Sequence, residues 1–273
     1  MAKKQLIIVG VAVAAVVALF SLPRVVVDNQ DNTAEEQAGI TSPAASAEED
    51  VHLPPLAPAL RQEADSILTL YNTSRSTEKN TIFANYLVKL FAEAGRYDSA
   101  SFYAEAIAAQ NGTIAAQQQA GEMYYEAFMR ALSTSQSQQL GEKVRFYLDK
   151  VLDEQPDNLD VKTKVAMTYV SSSVPMQGIQ MLREVVEADA NHELATYNLG
   201  LLSMQSGQYE KAIDRFQKVK EINPDNIQAQ FLLGVSYLEA GQDDRSRQQF
   251  EYIKTVSDDP EIIANVDNYL ERI

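Results

Sequence analysis

The stretch "NLGLLSMQSGQYEKAIDRFQKVKEINPDN", Asn198 to Asn226, contains no cysteine, no histidine and no nucleophile in a recognisable setting, yet its order is high. Moved along the chain by 34 residues, it falls on itself. Gly200 meets Gly234, Gly207 meets Gly241, Leu199 meets Leu233, Phe216 meets Phe250 and Val219 meets Ile253. Moved the other way, it meets Val165, Ala166, Leu182 and Val185, while Tyr169, Ser203 and Tyr237 share one place. A fixed period of this size is the mark of stacked supersecondary units, each too small to bury its apolar face alone.

Within one unit the residue types fit two antiparallel helices. Gly200 and Ala212 are small where the helices approach, Gly207 supplies a left-handed residue to end the first helix, and Pro224 stops the second. Leu199, Ile213, Phe216 and Val219 fill the space between helices and between units. From Leu60 onward apolar residues recur at three and four with no useful alternating run, so the expectation is an all-α chain.

Leu199-Gly200, Gly207, Tyr209, Ala212, Phe216, Val219 and Pro224 resemble the tetratricopeptide-repeat family at its spacing. Departures exist. The unit at 227–260 has Asp243, Ser246 and Asp258 where an aromatic, an alanine and a proline are usual, and the unit at 159–192 has Ala166, Gly178 and Ala190 for the glycine, alanine and proline. Further units are expected near 81–111, from Leu87, Phe91, Gly95, Tyr97, Ala100 and Ile107, and near 113–158. The second of these is expanded. Gly121 to Pro156 exceeds Gly200 to Pro224 by eleven residues, and "LSTSQSQQLGE" from Leu132 reads as a polar loop or extended helix ends. Leu60 to Tyr71 reads as a helix ahead of the array. A capping helix over 261–273 carries Ile262, Ile263, Val266, Tyr269, Leu270 and Ile273 on one side. The resemblance implies a right-handed superhelix of helix-turn-helix repeats over 59–273.

Ahead of the repeats, "QLIIVGVAVAAVVALFSL" from Gln5 to Leu22 is about the length that crosses a bilayer as a helix. Residues 1–24 therefore read as a single-pass anchor in the inner (cytoplasmic) membrane. Lys3 and Lys4 precede the run and Asp28, Asp31, Glu35 and Glu36 follow it, which places the N-terminus in the cytoplasm and the repeats outside, in the periplasm. A cleaved signal peptide is the alternative, disfavoured because small residues at −3 and −1 and a lipobox cysteine are missing. Residues 25–58, rich in Ala, Ser, Pro, Asp and Glu, read as an acidic flexible tether.

Net charge is −15, with Lys3, Lys4 and Arg24 confined to the anchor region, so a nucleic-acid partner is not expected. With no cysteine, thiol catalysis and thiolate metal sites are excluded. The two histidines, His52 and His192, stand apart, and the acidic pairs Asp243-Asp244 and Asp258-Asp259 lack calcium-loop spacing and read as solvated faces. No catalytic residue, metal ligand or cofactor site is expected, and the chain does not read as an enzyme.

The resemblance also implies which positions line the inner groove: Thr163, Met167 and Val170, then Leu194, Tyr197, Leu201 and Met204, then Gln228, Phe231, Val235 and Leu238. Met167, Tyr197, Leu201, Met204, Phe231 and Leu238 are the candidate partner-binding residues. They are apolar where family members that clamp acidic tails carry Lys, Arg and Asn. The expectation is thus an envelope adaptor or scaffold binding a protein or peptide with apolar anchors, serving assembly, secretion or quality control. The alternatives are a self-associating structural module, a homo-oligomer, or a regulatory subunit of an envelope enzyme complex.

Overall fold

The structure is a computed structural model and describes residues 56–273. The proposed anchor and nearly all of the proposed tether lie outside the described residues. Twelve helices and no strand occur among the described residues. They are α1 (Pro58–Thr73), α2 (Thr77–Glu93), α3 (Tyr97–Asn111), α4 (Ile114–Phe128), α5 (Thr134–Glu154), α6 (Leu159–Val170), α7 (Pro175–Ala188), α8 (Glu193–Gln205), α9 (Tyr209–Ile222), α10 (Ile227–Glu239), α11 (Asp243–Val256) and α12 (Pro260–Leu270). Each helix packs on the next in sequence, and α6 also touches α8 directly, so two first helices stand side by side.

The chain starts and stops these helices by two alternating devices. First helices are capped by side chains: Ser76, Thr113, Asn158, His192 and Asn226 each accept an N–H from the first turn of α2, α4, α6, α8 and α10. Serine at 76 is why α2 begins at Thr77, four residues before the repeat spacing places the unit. Three of the turns inside helix pairs close instead through backbone. Arg96 donates to the Phe91 carbonyl, Gln208 to Ser203 and Gln242 to Tyr237, each at 2.8 Å. The residue just before each donor is Gly95, Gly207 or Gly241, with φ of 71°, 68° and 70°. These are left-handed C′ glycines, the conformation that L side chains avoid. The eleven extra residues of the expanded unit went mostly into helix: α5 runs 21 residues from its cap at Ser133.

Close approach inside the pairs has a more specific cause than the sequence suggested. A Cβ at Gly200 would lie 2.7 Å from Phe216 Cε1, so this glycine makes room for a ring rather than for a backbone. Gly234 bears the same relation, also at 2.7 Å, to Phe250 Cε1. True backbone contact occurs at Gly178, where a Cβ would sit 2.3 Å from the Ala166 carbonyl oxygen. That explains why the 159–192 unit exchanges its glycine and alanine: the small residue moved to the facing helix. The rings Phe216 and Phe250 are fully buried. The array ends where Val266, Tyr269 and Leu270 of α12 cover Phe250 and Ile253.

Position 11 of three successive units, held by Tyr169, Ser203 and Tyr237, is read by an arginine from a second helix. Arg145 lies 4.9 Å over Tyr169, and Arg245 lies 4.2 Å over Tyr237 while donating to its hydroxyl at 2.8 Å. Where serine replaces tyrosine, Arg215 donates to the Ser203 hydroxyl and to the Leu199 carbonyl. Burial, chiefly, lowers the Arg215 pKa. A guanidinium covers an aromatic face in two units and satisfies a helix carbonyl in the third.

Candidate functional site

The first helices α6, α8 and α10 carry the candidate residues. Met167 is half-buried and bridges two clusters, touching the core around Val165 on one side and that around Leu199 on the other. Tyr197, Leu201 and Met204 succeed one another along one side of α8, as spacings of four and three place them. All three are half-buried and pack on the cluster of Phe216, Leu233 and Tyr237. The Tyr197 ring meets Phe216 edge to face at 5.9 Å, and burial raises its pKa. Met204 also reaches the next cluster, beside Phe231. Leu238 is half-buried near the end of α10.

Two positions that the resemblance assigns to the groove belong to the core. Thr163 is fully buried, with its hydroxyl donating back to the Leu159 carbonyl at 2.8 Å. Val235 is 8% exposed and packs with Phe250, Ile253 and Val266. Phe231 is intermediate in role. Its ring meets Phe250 at 5.5 Å and Tyr269 of α12 at 5.4 Å, so part of its surface is already spent on the cap.

The apolar strip does not run the whole length of α8. At its N-terminal end a cleft of about 830 Å³ opens, lined by Asp157, Asp160, Asp189, Glu193, His192 and Tyr197 among others. Asp157, Asp189 and His192 come from the linkers before α6 and α8, and Asp160, Glu193 and Tyr197 from the N-terminal parts of those two helices. His192 is a working part of this architecture rather than a bystander. Its Nδ1 accepts the Ala195 N–H at 3.2 Å, leaving the proton on Nε2, which lies 3.1 Å from Asp160 Oδ1. Glu193 accepts from the amides of Asn223, at 3.0 Å, and Asn226, at 2.7 Å. Neighbouring units are thereby tied at their junctions.

The segments "QPDN", Gln155 to Asn158, and "NPDN", Asn223 to Asn226, precede α6 and α10. Their recurring Asp and Asn, together with Asp189 and Asn191 at the junction between them, were the available signal for a polar cleft. Asp259 likewise proves more than a solvated acid, since it accepts the N–H groups of Glu261 and Ile262 and caps α12. Among the described residues no group of three or more His, Cys, Asp or Glu side chains is placed to hold a metal ion. Among the same residues no helix is long and apolar enough to cross a membrane.

A family model described as "TPR repeat" matches residues 200–241, and one described as "Tetratricopeptide repeat" matches 228–255. No curated protein matches the chain. Among solved structures, a tetratricopeptide repeat protein from Parabacteroides merdae ATCC 43184 superposes with a TM-score of 0.58 at 14% identity, over 78% of this chain and 79% of that one. A MamA fragment from Desulfovibrio magneticus RS-1 gives 0.49 at 17% identity, over 66% and 97%. YrrB, described as a TPR protein with an unusual peptide-binding site, gives 0.45 at 16% identity, over 75% and 99%. At such identities the first likeness speaks for the fold alone, and the lower two scores carry no argument.

Proposed function

We propose, from the premise that this chain is a tetratricopeptide-repeat protein, that it is a membrane-anchored adaptor whose inner groove binds a protein or peptide segment through apolar anchors. The observation that supports this is the strip formed by Tyr197, Leu201 and Met204 on α8, continued by Phe231 on α10: large apolar side chains that remain half-exposed between well-packed clusters. Adaptable methionine and a central aromatic suit partner recognition. In this reading the repeats wind as a right-handed superhelix with α6, α8 and α10 on its inner side. The apolar run Gln5 to Leu22, with Lys3 and Lys4 before it, supports an anchor that leaves the repeats in the periplasm. There the adaptor serves assembly, secretion or quality control of envelope proteins, without catalysis of its own.

The test is partner capture from detergent-solubilised membranes by the full chain and by Tyr197→Ala. Loss of one central aromatic anchor costs about 2 kcal/mol or more, which is a fall of roughly tenfold or greater in affinity. Wild-type recovery by a folded Tyr197→Ala protein, with loss instead in Glu210→Lys/Asp214→Lys, would move the binding site to the second-helix face.

A further inference from the structure

We infer that one edge of the repeat array, formed by the turns inside its helix pairs, rests on the surface of the bilayer in which the chain is anchored. This rests on the anchor reading above and adds to it how the repeats sit on the membrane. Each helix packs on the next through a linker of two to five residues, so successive helices run antiparallel. The turns after α2, α4, α6, α8 and α10 therefore come to one edge and the junctions between pairs to the other. The two edges differ in charge. Residues 127–141, 171–182 and 199–208, which hold the α4–α5, α6–α7 and α8–α9 turns, contain no Asp or Glu, and their one basic residue, Arg130, is met by Glu126 at 2.7 Å. The opposite edge carries Asp157, Asp189, Asp225 and Asp258 at its last four junctions.

The uncharged edge is also where large apolar side chains reach solvent. Met129 and Leu132 in one turn are 53% and 73% exposed, and Val174 and Met176 at the next are 48% and 65% exposed. The two turns are neighbours, since a Cβ at Gly141 near the start of α5 would lie 3.4 Å from Thr168 Cβ near the end of α6. Apolar groups gathered on adjacent turns mark a contact surface. The chain enters the array from this same edge. Tyr86 donates to Glu63, which pairs the first part of α1 with the second half of α2 in antiparallel order. Pro58, where α1 begins, therefore stands at the α2–α3 turn, and the 35 residues between Leu22 and Pro58 join the array there. A bilayer suits all three observations. Its interfacial zone accepts shallow apolar side chains, while the negative field of anionic headgroups repels the acidic edge and turns it outward. Because the anchor makes docking intramolecular, the edge needs only a weak contact of its own. The α10–α11 turn, followed by Asp243 and Asp244, lies outside this surface.

Because the chain has no cysteine, a single introduced one can report on each edge. Full-length Leu132→Cys and Met176→Cys probe the turn edge, and Asp157→Cys and Asp225→Cys the acidic edge. Each is labelled with an environment-sensitive fluorophore and reconstituted in vesicles of phosphatidylcholine and phosphatidylglycerol, with and without a nitroxide on the lipid headgroup. Quenching by the nitroxide should be roughly twofold or more greater at the turn edge than at the acidic edge. Adding Met129→Asp/Val174→Asp should abolish that excess at the Leu132→Cys probe, and an unchanged excess would overturn the inference. Equal quenching at the two edges, or none at the turn edge, in vesicles that retain the chain through an alkaline carbonate wash would overturn it too and leave the anchor standing. Release of the chain by carbonate would overturn both. Emission moved to shorter wavelength at the turn edge without lipid quenching, and lost as the protein is diluted among lipid, would give the edge to a second copy of the chain instead of the bilayer.

Discussion

Gly200→Ala is the sharpest probe of how the units are built, because two effects of known size oppose each other there. On a free helix the exchange is stabilising by about 1 kcal/mol, since alanine loses less backbone freedom. Here the new methyl would lie 2.7 Å from Phe216 Cε1, 2.8 Å from Cζ and 3.1 Å from Cδ1. The ring is fully buried among α8, α9 and α10 and touches Tyr197, so it has no open side to retreat to. Overpacking of that kind costs about 1–3 kcal/mol, so crowding should cancel or outweigh the propensity gain. The decisive measurement is a double-mutant cycle by urea denaturation, followed by far-UV circular dichroism. Phe216→Leu alone should be destabilising by loss of buried volume, but in its presence Gly200→Ala should become neutral or stabilising, giving a coupling of about 1 kcal/mol or more. Gly234→Ala with Phe250→Leu should behave alike, because the geometry repeats. Additive effects at both sites, or stabilisation by Gly200→Ala alone, would refute the glycine–ring explanation.

Two further outcomes follow from side chains fixed by the packing. Burial pushes the Glu105 carboxyl up, but hydrogen bonds from Lys143, Tyr124 and Tyr147 outweigh it and hold the pKa below its ordinary value. Its stabilisation is therefore present above the unfolded value of about 4 and is lost as pH falls through the lower native value. Urea midpoints of wild type and Glu105→Gln should differ at neutral pH and converge in acid, and a constant gap across pH would contradict the assignment. Asp259→Ala should cost about 1 kcal/mol by uncapping α12, whereas Asp258→Ala should cost almost nothing, with faster amide exchange in the final helix of the first variant only.

The period of 34 residues, the glycines at 95, 207 and 241 and the large apolar residues between them were enough to establish helix pairs, because left-handed turns and ring-filled gaps impose local demands that only certain residues meet. Local spacing also aimed Tyr197, Leu201 and Met204 to one side of α8. It did not distinguish half-exposed positions from buried ones. Thr163 and Val235 occupy groove places in the repeat, yet neighbouring helices close over them, and burial depends on residues tens of positions away. Phe231 is shared with the cap only because α12 brings Tyr269 against it. The acidic cleft is likewise tertiary in origin. Its carboxylates come from the starts of two helices about 30 residues apart, and they share one cleft only once α6 and α8 stand side by side. Residue type and spacing determined the repeating unit; stacking decided which of its side chains face a partner and what charge they present.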